Sequence, residues 1–433
     1  MTQVSKPPQG GDPWPAPKAP GQQSQRPDGA NARLAILIAL VVAAGLFWGL
    51  SVLIVIFALL VMIFLHELGH FVTAKWAGMK VTEFFIGFGP KIWSFKRGEV
   101  EYGLKAIPAG AYVRIVGMHN LEEVDPADEP RTYRQKSYWR RLSVAAAGST
   151  MHFLLALVLG FVLLLGWGMP AGESGWVVGE IASLADGSPT PAQQAGVQLG
   201  DRIIAIDGQR VSTWDELTPL IRDHPGDRVT LTVVRDGREL ELATTLMSRH
   251  PDTGRDTGFL GIAPRYPRSQ ESITGATTGT FKLFGEITKE SVLGLGKVFS
   301  PGGLSNYVDN LQGDTSEPGG TGSGSGSGDE GRLLSPVGAV QFGSRLADDG
   351  AAPLLTFMIA VNIFVGIFNL IPLLPFDGGH VAIATYEAIR SRRGKRYFAD
   401  VSKMLPITYG VVLILGLLFI GNLYLDIARP IGG

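Results

Sequence analysis

Four long apolar segments constrain this chain more than any other feature. The first runs from Leu34 to Leu65 without a charged residue. The others cover residues 144–169, 354–374 and 405–425. A helix needs about 20 apolar residues to cross the hydrocarbon core of a bilayer. The pattern therefore predicts a multi-pass α-helical membrane protein, in which residues 34–77 form one long apolar helix or a helical hairpin, with its turn at Gly45, Trp48 and Gly49.

Composition agrees with a membrane location and excludes several other classes of protein. Charged residues make up 18% of the chain, against about 25% in a typical soluble protein. The formal net charge is -1, which argues against a basic nucleic-acid-binding protein. The chain has no cysteine, so a disulfide scaffold, a thiolate zinc site, an iron–sulfur cluster and a cysteine nucleophile are excluded.

The distribution of charge predicts the orientation in the membrane. Twelve Lys or Arg and eight acidic residues lie between Lys75 and Arg141, and a second basic group lies between Arg390 and Lys403. Because basic loops stay on the cytoplasmic side, we expect both segments there. The segment Trp176–Pro353 is then expected outside the cytoplasm.

The predicted boundaries follow from these runs and from local composition. Seven prolines between Pro7 and Pro27 predict a disordered tail over residues 1–33. Membrane spans are expected at 143–170, 354–376 and 405–427, with a cytoplasmic or membrane-re-entrant β region at 78–142 and a basic cytoplasmic loop at 377–404. Residues 264–353 are expected to contain an amphipathic helix within 273–312 and a Gly/Ser-rich linker over 313–331.

Residues 176–263 form a predicted separate module. Apolar and polar residues alternate there, and Asp207-Gly208 and Asp236-Gly237 are typical of tight hairpin turns. The run Ala195–Gly208 resembles the PDZ domains of bacterial membrane and periplasmic proteases. This resemblance implies an inserted, mainly β PDZ domain on the extracytoplasmic side.

The sequence His66-Glu67-Leu68-Gly69-His70 is the strongest chemical signal. On a helix, residues i and i+4 project from one face, so both imidazoles can reach one metal ion. Glu67 stands beside them, where it can take a proton from an attacking water. The alternative is a chance motif on an ordinary helix. The position of the motif at the end of an apolar run disfavours that alternative, because burying polar groups in a membrane segment costs free energy that other interactions must offset.

A catalytic zinc site needs a third protein ligand, and Asp377 is the best candidate. It follows Pro372 and Pro375 at the end of an apolar run. These prolines predict non-helical backbone at membrane depth, which occurs only where protein or a water-filled cavity covers it. An aspartate before Gly-Gly could also simply begin the next helix, and both roles can hold together.

The pairing of His-Glu-x-x-His on an early span with Asn369-x-x-Pro372 and Asp377-Gly378 on a late one resembles the site-2 protease family of intramembrane zinc metalloproteases. The resemblance implies one Zn²⁺ held by His66, His70 and Asp377, with Glu67 as the base and Asn369 holding the substrate or the developing oxyanion. It also implies a bacterial cell membrane location with the active site towards the cytoplasm. The implied partners are the lipid bilayer and single-span substrates, such as anti-sigma factors or remnant signal peptides, either intact or already cut once by another protease.

Two further segments match the family more weakly. Ile86–Pro90 resembles the Gly-x-Gly of a β-hairpin that dips into the membrane, and Ile107–Tyr112 resembles a second strand of that element. An ordinary cytosolic turn is the alternative for Gly87-Phe88-Gly89. Glycines there would let the backbone of an unwound substrate approach closely.

The chain also departs from the family pattern. Gly148-Ser149-Thr150-Met151-His152 stands where the family commonly has Gly-Pro-x-x-Asn. His152 could be a fourth ligand, a proton shuttle or a hydrogen-bonded packing residue, and packing or support of the ligands is favoured because Asp377 already completes the set. The spacing Pro372-Leu373-Leu374-Pro375 also differs from the usual Pro-x-Pro.

Two alternative functions remain at this stage. Prenyl-protein endopeptidases of membranes share His-Glu-x-x-His but use a glutamate as third ligand, so Asp377 disfavours them. A catalytically idle PDZ-bearing membrane scaffold is disfavoured by the intact Glu67. The sequence predicts no nucleic-acid partner and leaves the oligomeric state open.

Overall fold

The computed structural model of the chain describes residues 30–118, 122–170, 173–184, 187–251, 254–269, 271–303, 305, 307, 334–391 and 396–428. The chain divides into two compact units. The first comprises residues 1–150 and 372–408, and the second comprises residues 151–371 and 409–433. The predicted tail up to residue 29 and the predicted linker at 313–331 lie outside the described residues.

The described residues form α-helices, short 3-10 helices and β-strands. The α-helices are α1 Ala30–Trp48, α2 Leu50–Trp76, α3 Tyr138–Ala145, α4 Ala147–Trp167, α5 Pro191–Ala195, α6 Trp214–Arg222, α7 Ile273–Val298, α8 Pro336–Asp348, α9 Ala351–Asn369, α10 Asp377–Arg390 and α11 Leu405–Ala428. Short 3-10 helices lie at Glu129–Arg131, Tyr133–Gln135, Glu173–Gly175 and Val401–Met404. The strands are β1 Val81–Arg97, β2 Val100–Ile115, β3 Met169–Pro170, β4 Val177–Ile181, β5 Arg202–Ile206, β6 Gln209–Arg210, β7 Arg228–Arg235, β8 Arg238–Thr245, β9 Ile262–Arg265 and β10 Arg268–Ser269.

Four helices within the described residues are long and apolar enough to cross a membrane. They are Leu50–Trp76, Ala147–Trp167, Ala351–Asn369 and the segment Val401–Ile427. Each contains an 18-residue window with at most two charged residues, as a hydrocarbon environment requires. The protein is therefore a membrane protein.

The first apolar run forms two helices. Gly49 separates α1 from α2 and has a φ of +96°, a conformation that residues with a side chain rarely adopt. Gly45 packs directly against the side chain of Leu53, so the two helices meet close to this break. Helix α1 begins at Ala30, inside the segment predicted as tail, because the last proline of that segment is Pro27 and the residues after Gly29 permit a helix.

Strands β1 and β2 form a bent hairpin in the first unit. Residues 91–97 pair with 100–105 next to the turn, while residues 83–86 pair with residues of β2 on both of their sides. Gly103 makes this possible, since a Cβ there would lie 2.7 Å from the Phe85 ring and 2.8 Å from Cβ of Ser94. Aromatic side chains then seal the sheet against α2, where Phe71 contacts Phe84 and Tyr102 edge to face.

The second unit contains a β module over the segment predicted as PDZ. A four-stranded antiparallel sheet has the order β6-β5-β7-β8, and β4 pairs separately with β9. Trp176, Leu217 and Leu231 are fully buried in its core. Asp201, which is 1% exposed, forms an ion pair of 2.7 Å with Arg235 and accepts a hydrogen bond from the backbone amide of Gln198, which fixes the loop before β5.

The same unit packs apolar helices together. Ala156 and Leu163 of α4 form a buried cluster with Ile359 and Ile363 of α9, against which α7 also packs. Helix α7 ends at Val298; after a break at residues 299–300, residues 301–303, 305 and 307 are again helical, and the rest of the predicted amphipathic segment up to 312 lies outside the described residues. Asp426 of α11 is buried and accepts a hydrogen bond of 2.9 Å from the Ser335 amide, so α8 begins beside a carboxylate, as the positive end of a helix dipole favours.

Candidate metal centre

Helix α2 provides two nitrogen atoms for a metal ion. His66 and His70 are one helical turn apart, and their Nε2 atoms lie 3.2 Å from each other. His70 is buried, with 4% of its surface exposed. The predicted arrangement of both imidazoles on one helix face is therefore what the geometry of α2 produces.

Asp377 brings a carboxylate to the same point. It is the first residue of α10, and its Oδ2 lies 3.4 Å from His66 Nε2 and 3.2 Å from His70 Nε2. One ligand atom from each of the three residues lies within 4.8 Å of the others. The two roles considered for Asp377 thus coincide: it begins a helix and it completes a group that could hold a metal ion.

These distances match the requirements of zinc. Ligands of a tetrahedral Zn²⁺ at bond lengths of about 2.0–2.1 Å stand about 3.3 Å apart, and the three observed separations are 3.2, 3.2 and 3.4 Å. A neutral imidazole nitrogen and a carboxylate oxygen are both acceptors. Such atoms repel each other at this distance unless a cation lies between them, so the residues present fit a zinc ion.

A backbone carbonyl fixes the orientation of His70. Its Nδ1 lies 2.7 Å from the carbonyl oxygen of Val144 in α3. Since a carbonyl can only accept, Nδ1 carries the proton and Nε2 presents its lone pair to the metal position. Sequence analysis did not identify Val144, because a backbone carbonyl leaves no mark in the residue type.

Two glycines leave space that the site needs. A Cβ on Gly148 of α4 would overlap the rings of His66 and His70. A Cβ on Gly379 would lie 2.7 Å from the backbone nitrogen of Leu374, where the chain turns into α10. Gly148 begins the segment that departs from the family pattern, and its contact with both histidines gives a physical reason for a glycine at this position.

Glu67 is partly buried on α2, between the two histidines in sequence. The backbone amide of Val113 in β2 approaches its carboxylate, and both Asp377 and His70 lie close enough to interact with it electrostatically. A carboxylate in this place can accept a proton close to the three convergent ligand atoms.

The other predicted site residues belong to the second unit. Asn369 is the last residue of α9. His152 is buried in α4, and its Nδ1 donates a hydrogen bond of 3.0 Å to Oδ1 of Asn362. The Nδ2 of Asn362 in turn donates to the carbonyl of Met358. This pairing gives a reason for a histidine inside an apolar helix and supports the interpretation of His152 as a hydrogen-bonded packing residue.

Comparisons with known proteins agree with this chemistry. Residues 54–415 match Peptidase family M50. Zinc metalloprotease Rip1 of Mycobacterium tuberculosis is 35% identical over 415 residues, which cover 87% of this chain and 98% of that protein. Zinc metalloprotease Rip1 of Mycolicibacterium smegmatis is 32% identical over 415 residues, with 89% and 98% covered.

One solved structure is similar to part of the sequence. The solution structure of GtR34C from Geobacillus thermodenitrificans is 30% identical and covers 21% of this chain and 99% of its own. Its TM-score of 0.17 is too low to bear on the fold.

Proposed function

Because this chain belongs to Peptidase family M50, the site-2 protease family, and is a zinc metalloendopeptidase, we propose that it cuts peptide bonds inside the membrane-spanning segments of single-span proteins. One observation carries the proposal. The group formed by His66, His70 and Asp377 is built on α2, a helix of 27 residues that is apolar enough to cross a bilayer. A metal group on such a helix serves substrates that reach the membrane interior.

Each residue has a distinct part in the proposed reaction. His66, His70 and Asp377 would hold a zinc ion, which would supply a Lewis acid for the substrate carbonyl and for the attacking water. The Val144 carbonyl keeps His70 in the tautomer that this requires. Glu67 takes the proton of the attacking water and passes it to the leaving amine. Asn369 donates hydrogen bonds to the carbonyl oxygen as negative charge develops there.

The substrate must also change its conformation. The amides of a membrane-spanning helix are shielded by their own hydrogen bonds, so the segment to be cut has to unwind. We assign the β1–β2 hairpin to this step, as an element that dips into the membrane and pairs with the extended substrate. Gly89 of β1 supports this role, since it has a positive φ of +81° and a Cβ there would meet only the Ile107 side chain, at 3.5 Å. Gly87, with a φ of +88°, instead lies against the backbone carbonyls of Lys105 and Ile107 in β2.

The proposed setting is a bacterial cell membrane. The basic segments at 75–141 and 390–403 favour a metal group towards the cytoplasm and residues 176–263, as a PDZ domain, outside it. Anti-sigma factors and remnant signal peptides, shortened beforehand by another protease, are the substrate class that this arrangement suits. The metallopeptidase family excludes the idle scaffold, and the aspartate among the ligands disfavours the prenyl-protein alternative.

Reconstitution tests the proposal. The full-length chain is inserted into liposomes together with a single-span reporter that lacks a large outer domain, and cleavage is followed with time. We expect the wild type to cut the reporter. Glu67→Gln should retain zinc and be slower by about 10²–10⁴-fold or more, because a general base is lost. Cleavage by Glu67→Gln at the wild-type rate would remove Glu67 from the mechanism.

A further inference from the structure

A second group of polar side chains is buried in the first unit, apart from the metal ligands. Arg141 of α3 and Glu387 of α10 form an ion pair of 2.5 Å, with 8% and 2% of their side chains exposed. The Arg141 guanidinium also reaches the carbonyl of Ala384, at 3.4 Å. The other oxygen of Glu387 accepts a hydrogen bond of 2.6 Å from the Ala399 amide. Both charges therefore have several partners.

This pair joins the two elements that orient the metal ligands. Helix α3 contains Arg141 and, one turn later, Val144, whose carbonyl holds His70. Helix α10 contains Glu387 and begins with Asp377. The ion pair thus connects the support of one ligand to the helix that carries another, although neither charged residue is itself near a ligand in sequence.

A zinc site tolerates only small displacements of its ligands, so a contact that fixes the helices behind the ligands affects zinc binding. Ligand distances in zinc sites stay within about 0.2 Å of their ideal values, while a helix such as α10 moves as a rigid body over the roughly 15 Å between Glu387 and Asp377. A small shift of α10 against α3 therefore displaces Asp377 relative to His70. A buried ion pair is a weak source of stability compared with apolar packing, and its directional geometry suits it to fixing relative position.

We propose that the Arg141–Glu387 ion pair positions Asp377 and His70 for zinc binding, so that both of its members are positioning residues of this enzyme. The proposal rests on the ligand set given above. The guanidinium of Arg141 sets the position of α3 against α10, and thereby the position of the Val144 carbonyl that supports His70 relative to Asp377 at the start of α10.

Zinc affinity of the purified full-length protein tests this directly, measured by competition with a fluorescent chelator in detergent. Loss of a group that supports zinc ligands typically lowers metal affinity about 10–100-fold, and we expect a loss of this size for Glu387→Gln. The matched control is Glu129→Gln, which removes a carboxylate paired with Arg134 that joins neither α3 nor α10. It should bind zinc like the wild type.

A double variant separates positioning from stability. Arg141→Met with Glu387→Met replaces the pair by apolar side chains, which is often neutral for stability. We expect its zinc-free form to unfold near the wild-type temperature while its zinc affinity stays low. Recovery of zinc affinity in the double variant, or wild-type affinity in Glu387→Gln, would overturn the proposal. Where Glu387→Gln does not fold, Arg141→Lys, which keeps the charge but loses the fork, replaces it in the comparison.

Asp377→Ala in the same titration keeps the two proposals apart. If it binds zinc as the wild type does, the ligand set is wrong and the positioning role falls with it. If Asp377→Ala loses zinc while Glu387→Gln does not, the ligand set stands and the positioning role alone is refuted.

Discussion

At the scale of single residues, the candidate metal centre depends on a position without a side chain as well as on its ligands. Gly148 lies against both histidine rings, whereas a Cβ added to Gly166, on the same helix α4, would meet nothing within 4 Å. We expect Gly148→Ala to lower zinc affinity, because the new methyl group displaces His66 or His70. Gly166→Ala should leave zinc affinity unchanged and stabilise the helix by up to about 1 kcal/mol. Chelator competition on both variants distinguishes the two positions, and equal affinities would show that the contact at Gly148 is unimportant.

Asn369 offers a second test at this scale. If its amide stabilises the charge that develops on the carbonyl oxygen, Asn369→Ala should lower kcat by about 10²–10³-fold, as for other donors of this kind. Zinc content should stay at the wild-type level, because Asn369 is not a proposed ligand. A variant that lost zinc together with activity would instead assign Asn369 to the structure of the site.

Sequence alone could single out the group that could hold a metal ion but not its support. Helical spacing points to His66 and His70, and a carboxylate beside prolines at the end of an apolar run points to Asp377; the structure brings the three together. The carbonyl of Val144 and the empty space at Gly148 depend on which backbone lies opposite, and no residue type records that. The partnership of Arg141 with Glu387 spans 246 positions, so it too becomes visible only in three dimensions.

At the scale of elements, ion pairs of Glu99 with Lys75 and Arg131 stabilise the turn of the β1–β2 hairpin. Glu99 follows Gly98 at the turn, and its hydrogen bond from Arg131, helped by Lys75, lowers its pKa from 4.5 to about 2 despite partial burial. A depressed pKa in the folded state means that Glu99 contributes stability at neutral pH. That contribution disappears as the pH falls from about 4.5 towards 2.

We therefore expect Glu99→Gln to unfold more easily than the wild type at about pH 7, by less than about 1 kcal/mol because the pair is partly exposed. The difference should shrink below about pH 4 and stay constant above about pH 6. Thermal unfolding in detergent, followed by circular dichroism, measures it. In an Arg131→Met background the effect of Glu99→Gln should become small, and an undiminished effect would mean that Arg131 is not the cause.

The elements themselves were predictable to different degrees. Apolar length predicts the spans, and the group Gly45, Trp48 and Gly49 marks the region of a break that the structure has at Gly49. The bend of the hairpin, in which one segment of β1 pairs on both sides with β2, was not predictable, because strand pairing between distant residues depends on register. Helix α7 ends at Val298 because Pro301 lacks the amide hydrogen that a continuous helix needs, and residues 301–303 are helical again, as proline suits the first turn of a new helix.

At the scale of the whole molecule, residues 176–263 are expected to control access and to take no part in the chemistry. In the proposed topology a hydrocarbon core of about 30 Å separates an extracytoplasmic module from a site facing the cytoplasm. Deleting these residues should leave zinc binding intact and permit cleavage of full-length substrates that the wild type spares. Should a well-folded deletion variant fail to cut even a shortened substrate, the module would be a capture site for new C-termini and not a filter.

The location of the cut bond tests the intramembrane mechanism most directly. Products of a single-span reporter, cleaved by the wild type in liposomes, are identified by mass spectrometry, with Glu67→Gln as the control for contaminating proteases. We predict one cut inside the apolar segment of about 20 residues that spans the bilayer, absent with Glu67→Gln. A cut that depends on Glu67 but lies in a water-exposed part of the reporter would contradict cleavage within the membrane.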